Sequence, residues 1–206
     1  MSPGATMERV YLELKARIVA GAYPPGTRLD PEHLASTLTS SSMPIREALN
    51  RLTGERLVDS WHQEGFRLPI LSEADLHDLY SWTRALLSLA LRSTPPKPVA
   101  AVGPMPETDV DDYSARIARL FHSIALLSEN RELHHSMVNL VERTQLIRAV
   151  EVRVDPVANY AVTLMEEDFQ AASWSDLRSK ISQFHRRRLA WAGRVVVELR
   201  PRSQTL

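Results

Sequence analysis

The sequence predicts a mainly α-helical protein in two parts, and three observations carry that prediction. Apolar residues recur at helical spacing along most of the chain. One pair of short extended runs flanks a polar turn, which reads as a single β-hairpin near residue 62. Residues 94–108 hold five prolines and a glycine, which interrupt the helical pattern and mark a loop.

The first helix is expected from about Thr6 to Ala20, on the stripe of Val10, Leu14 and Ile18. Gly21 suits its C-cap, and Pro24-Pro25-Gly26 stops any continuation. Asp30 followed by Pro31 is an N-cap with proline at the first helical position, so a short second helix starts there and carries Leu34, Ala35 and Leu38. Thr39 to Ser42 makes a polar turn. A third helix starts near Ser42 or Met43, with Ile45, Ala48, Leu49 and Leu52 on one face. The hairpin follows, with arms Leu57–Trp61 and Phe66–Ile70 around His62-Gln63-Glu64-Gly65. Three helices and then a hairpin is the order of a winged helix-turn-helix, assigned to residues 1–71.

Residues 72–206 are expected to form an antiparallel helical bundle. Ser72 and Asp75 resemble a capping box for a helix ending near Arg92. After the proline-rich loop, one helix carries Ile117, Leu120, Phe121 and Ile124. A second starts at the cap Asn130 and runs through Met137 and Leu140 to Ile147. A third starts at Asp155-Pro156, and a last covers about Ser175 to Ala192. Val195-Val196-Val197 reads as a terminal strand.

Composition narrows the function. The chain has no cysteine, which excludes disulfides, thiolate metal sites and cysteine nucleophiles. No apolar run approaches the roughly 20 residues of a membrane span, and the N-terminus lacks the pattern of a secretory signal, so a cytoplasmic protein without a membrane partner is expected. There is no nucleophile motif and no phosphate-cradling glycine loop, so no catalytic residues are assigned and an enzyme is not expected. Net charge is zero, and residues 1–72 balance eight Lys and Arg against eight Asp and Glu. Affinity for DNA must then come from charge placed on one face.

The third helix offers that face. Its N-terminus holds small polar residues, Ser41 and Ser42, with Met43 beside them and Arg46 a turn later. Short side chains at the end of a helix can approach base edges in a major groove. The helix end presents N–H groups to phosphates, and Arg46 and Arg51 can pair with a phosphate or a guanine. In the hairpin, Gly65 lets the backbone approach a minor groove, and Gln63 or His62 can reach its floor or a phosphate. Arg67 either joins them or sits on the outer strand face in water.

These residues resemble the GntR family of bacterial transcriptional regulators. The carriers are Val10-Tyr11, Leu14, Ile18, Gly21, Pro24-Pro25-Gly26-Thr27-Arg28-Leu29, Leu34-Ala35, Leu38, Pro44 to Leu52, Leu57-Val58 and Gly65-Phe66-Arg67. The resemblance implies a homodimer that binds a palindromic double-stranded DNA operator, and a repressor role. Departures bear on sequence preference. Ser42 and Glu32 stand where the family carries arginines, and Thr39 stands where it carries a glycine.

Residues 72–192 resemble the helical sensor domain of the FadR-like branch, of the FCD type, through Ser72 to Leu76, Tyr80, Arg84 to Leu87, Phe121-His122 and Ser128 to Leu133. This implies a small-molecule effector, with an organic acid as the candidate. Arg84, His122 and His185 are the candidate effector residues. Many members of that branch hold a divalent metal on one acidic residue and three histidines. Here Ala118 occupies the acidic position and no third histidine is evident, so no metal ligands are assigned and no cofactor is expected. Arg84 reads equally as a carboxylate clamp or as one half of an ion pair, and His122 as a ligand or as a core histidine bonded to a carbonyl.

Overall fold

The computed structural model describes residues 3–61, 65–92 and 112–200, in two compact units divided between Leu71 and Ser72. The wing-tip residues His62 and Gln63 and the proline-rich stretch 94–108 lie outside the described residues.

The first unit opens with α1 (Pro3–Val19). Gly21, at φ +79°, closes it: the Ala22 N–H donates to the Arg17 carbonyl at 2.9 Å and the Gly21 N–H to Ile18 at 3.0 Å. That is the pattern of a helix stopped by a left-handed residue. The turn Pro24 to Thr27 needs positive φ at Gly26, and a Cβ there would meet the Ile70 side chain at 2.9 Å. Strand β1 (Arg28–Leu29) follows, then α2 (Pro31–Thr37). Asp30 caps α2 by accepting from the Glu32 and His33 N–H groups at 2.9 and 3.0 Å. Next come α3 (Ser42–Gly54), β2 (Asp59–Trp61) and β3 (Gly65–Arg67). The sheet is antiparallel, in the order β1-β3-β2. The arms of the hairpin are shorter than the sequence suggests: β2 and β3 pair only over Asp59–Trp61 and Gly65–Arg67, and Leu68 turns to the segment before β1, donating to the Thr27 carbonyl and accepting from the Gly26 N–H, both at 3.0 Å. Leu14, Leu34, Leu38, Ile45, Leu49 and Leu52 meet in one core with Leu29 and Phe66 from the inner face of the sheet.

The second unit holds six helices among the described residues: α4 (Glu73–Arg92), α5 (Tyr113–Ala125), α6 (Arg131–Arg143), α7 (Gln145–Val154), α8 (Ala158–Gln170) and α9 (Trp174–Leu199). The capping box forms, with the Ser72 N–H donating to Asp75 at 2.8 Å and the Asp75 N–H to Ser72 Oγ at 3.2 Å.

Three sequence expectations fail here. The run from Asn130 to Ile147 is two helices, broken at Thr144. The Thr144 hydroxyl donates to the Leu140 carbonyl at 2.6 Å and accepts from buried Arg148 at 2.6 Å, which stabilises the break. Asp155 does not open α8. Its N–H closes α7 on the Glu151 carbonyl at 2.8 Å, its carboxylate is held by Arg187 at 2.6 Å, and α8 starts only at Ala158. Val195 to Val197 form no strand; they continue α9, with Val195 and Val196 buried. Burial of Val195 and Val196 in the helical unit outweighs the weak strand preference of the run, whose third valine, Val197, faces outward.

Candidate nucleic-acid interface

Helix α3 separates its two faces cleanly. Ile45, Leu49 and Leu52 are fully buried and Ala48 nearly so, while Met43, Arg46, Glu47 and Asn50 are exposed. Ser41 is the N-cap, at φ −90° and ψ 165°, yet its hydroxyl makes no capping bond. The first N–H groups of α3 therefore have no side-chain cap at this position. Ser42 is half-buried beside it.

The wing strands stand next to this helix. Gly65, at φ +81°, pairs with Trp61 across the ladder, and among the described residues a Cβ on it would meet nothing within 4 Å. Its glycine serves backbone conformation and an open surface. A groove of about 600 Å3 runs between α3 and the sheet, lined by Arg46 from α3, Arg28 to Pro31 from β1 and the start of α2, and Ser60, Trp61, Gly65 and Phe66 from the wing strands. Arg28 is directly opposite Arg67 across β1 and β3, and both are exposed. Like charges placed so cost stability in the free protein. Asp59 lies next along the row, and Asp30 lines the groove with its carboxyl held below the usual carboxylate range by the His33 N–H.

The sequence candidates fall into three places. Ser41, Ser42, Met43 and Arg46 share the exposed end of α3, and Gly65 and Arg67 lie on the wing. Arg51 turns toward α1 instead. It pairs with Glu8 at 2.9 Å, approaches Glu55 at 3.7 Å and stacks 3.5 Å above the Tyr11 ring. A phosphate has to compete with that cluster. Arg28 and Trp61 were not singled out from the sequence; only the pairing of β1 with β3 brings Arg28 to the groove.

In the second unit Arg84 is exposed on α4. His185 is fully buried, stacked on Phe121 with centroids 5.9 Å apart. Its Nδ1 lies 2.9 Å from the Ile181 carbonyl, so Nδ1 carries the proton and the unpartnered Nε2 is bare. Burial pushes its pKa down to about 3, with Arg188 and Arg84 adding to the effect. Burial and then Arg148 likewise lower that of His122, whose Nε2 is also buried without a partner among the described residues.

These donors do not fit a divalent metal. Ala118 offers no carboxylate, Glu166 is engaged by Arg116 at 3.2 Å, and Asp168 pairs with Lys180 at 2.7 Å. Among the described residues, the charged groups that act on the two imidazoles are guanidiniums, Arg148 on His122 and Arg188 and Arg84 on His185. Among the described residues no three His, Asp or Glu converge.

Sequence reading also missed a buried polar hub. Glu151 accepts from the Tyr80 hydroxyl at 2.6 Å, the Tyr113 hydroxyl at 3.1 Å and Arg188 Nε at 2.9 Å, joining α4, α5, α7 and α9. Arg119 on α5, one helical turn from His122, has Nε and Nη1 buried with no partner among the described residues.

Residues 6–68 match the sequence profile described as bacterial regulatory proteins, gntR family. The HTH-type transcriptional repressor GlaR of Escherichia coli is 35% identical over 85 residues, 39% of this chain and 39% of that protein. The Nta operon transcriptional regulator of Aminobacter aminovorans is 30% identical over 139 residues, 62% of this chain and 66% of that protein. The matched stretches thus span between 39% and 66% of these curated relatives' own lengths. A GntR transcriptional regulator from Rhodococcus sp. RHA1 has a similar fold, with a TM-score of 0.74 at 17% identity over 91% of this chain and 97% of that one. None of the described helices is long and apolar enough to cross a membrane. The N-terminal domain of this chain belongs to the GntR family of bacterial regulatory proteins.

Proposed function

We propose that the protein is a homodimeric transcriptional repressor that binds a palindromic DNA operator and releases it in response to a small organic acid held in the helical unit. The groove between α3 and the wing carries the DNA-binding reading. If α3 enters a major groove and the wing an adjacent minor groove, the strand between them crosses this groove. Arg28 and Arg46 then flank its phosphates, Trp61 faces its sugars, and the opposition of Arg28 to Arg67 is relieved by an anion. Two-fold symmetry would present two recognition helices about one helical turn of DNA apart. The repressor role in the name of GlaR, 35% identical over 85 residues, supports the sign of regulation.

The effector reading rests on α5. Arg119 and His122 are neighbours on one helix face, and their buried nitrogens lack partners among the described residues. Unsatisfied guanidinium N–H groups in a protein interior are costly, and a carboxylate satisfies them in fork geometry. This favours a ligand-responsive unit over one that only dimerises. Arg84, exposed on α4, is the further candidate named by the sequence.

The test is selection of the full chain against a random duplex library at fixed, moderate salt. Recovery of a short palindrome, lost in Arg46→Ala, supports the reading; enrichment of nothing rejects it. A thermal-shift screen of organic acids, repeated on Arg119→Gln, tests the effector: a shift in the wild type that the variant loses is expected. No shift with any acid leaves a dimeric DNA-binding protein without a sensor.

A further inference from the structure

We infer that Met43 reads the 5-methyl group of thymine, so that each half-site contains a thymine at the position facing the first turn of α3. The inference rests on the DNA-binding reading above and adds the chemistry of one base contact.

Met43 is the second residue of α3 and is 80% exposed, the highest value among the large apolar side chains of the described residues. Among the described residues, the neighbours it has along the exposed end of the helix are polar. Ser41 and Ser42 precede it, and Arg46 and Glu47, at i+3 and i+4, share its side of the helix. A protein partner needs a contiguous apolar patch, and an isolated methionine among polar residues does not make one. The two short serines leave the longer thioether projecting past them toward whatever the helix end meets.

Chemistry restricts what that is. A thioether donates no hydrogen bond and accepts only weakly. The major-groove edges of guanine, adenine and cytosine present polar donors and acceptors. Thymine alone adds an apolar group, its C5-methyl. A side chain that can contribute only apolar contact therefore discriminates at thymine. Methionine is unbranched and flexible, so it can follow the methyl group without demanding one rotamer. The preceding residue strengthens the contrast: Ser42 cannot make the bidentate contact with guanine that an arginine makes.

The experiment uses the full chain and the operator recovered by library selection. Each thymine is replaced in turn by 2′-deoxyuridine, which keeps base pairing and removes only the methyl group, and binding is followed by fluorescence anisotropy. One thymine per half-site is expected to weaken binding about fourfold when demethylated, the size set by burying one methyl group. Met43→Ala should bind the thymine and deoxyuridine duplexes equally at that position, and Met43→Leu should retain most of the difference. Two outcomes overturn the inference with the DNA-binding reading intact: tight, specific binding by the wild type with no deoxyuridine effect at any position, or an effect that Met43→Ala leaves unchanged. Failure to recover any operator overturns both.

Discussion

Replacing Arg28 and Arg46 by alanine, singly and together, measures what the groove does. Each neutralised phosphate releases counterions, and the slope of log K against log salt changes by about 0.9 per contact on duplex DNA. One contact per protomer therefore makes binding ~3.5-fold weaker on going from 50 to 200 mM salt, and the same contact twice in a two-fold dimer ~12-fold. Each single variant should lose that share of the salt dependence, with the slope reduced by about 1.8 in a dimer. Both side chains are exposed, so the free protein should keep its stability. Arg28→Ala should even gain slightly, because Arg67 loses a like-charged neighbour. Anisotropy titrations over four salt concentrations, with the selected operator and a scrambled duplex, give the slopes. A phosphate role predicts equal weakening on both duplexes. If Arg46→Ala instead keeps the slope and relaxes preference at one base pair, Arg46 contacts a base edge. If neither variant changes slope or preference, the groove lies outside the complex and the reasoning fails.

Three further outcomes follow from the packing. Glu151→Gln should destabilise the helical unit by about 3–5 kcal/mol in urea unfolding, since it leaves buried Arg188 without its carboxylate, and Arg188→Met in the same chain should recover part of the loss. Burial lowers the folded pKa of His185 to about 3, so below about pH 6.5 the unfolded chain binds a proton that the folded one refuses. Its stabilising contribution is complete above that pH and falls by about 1.4 kcal/mol per unit as pH drops toward the folded value; His185→Met should remove that component of the unfolding profile. Thr39 holds φ +47° at the end of α2, where the Ser40 N–H donates to the Ala35 carbonyl at 3.0 Å. Thr39→Gly should therefore stabilise the first unit by about 1 kcal/mol, read as slower amide exchange in α2 and α3; unchanged exchange would show the strain is absent.

The sequence by itself determined the elements whose causes are local. The stripe Ile45, Ala48, Leu49 and Leu52, the cap of Asp30 on α2, the stop at Gly21, the turn at Gly26 and the box of Ser72 with Asp75 each depend on residues within a few positions of one another. Helix and turn energetics act over that range, so the order of elements in the first unit and the exposed end of α3 were legible. Tertiary structure alone decided what depends on distant partners. Arg28 reaches the groove because β1 pairs with β3, and Arg51 leaves it for Glu8 and Tyr11 on α1. Glu151 gathers hydroxyls from residues 71 and 38 positions away, which no spacing announces. Arg148 stabilises the break at Thr144, and burial of Val195 and Val196 keeps a run of valines in a helix they do not favour. A charge or a β-branched residue carries no local sign of its partner, and its place is fixed only when folding brings that partner within contact distance.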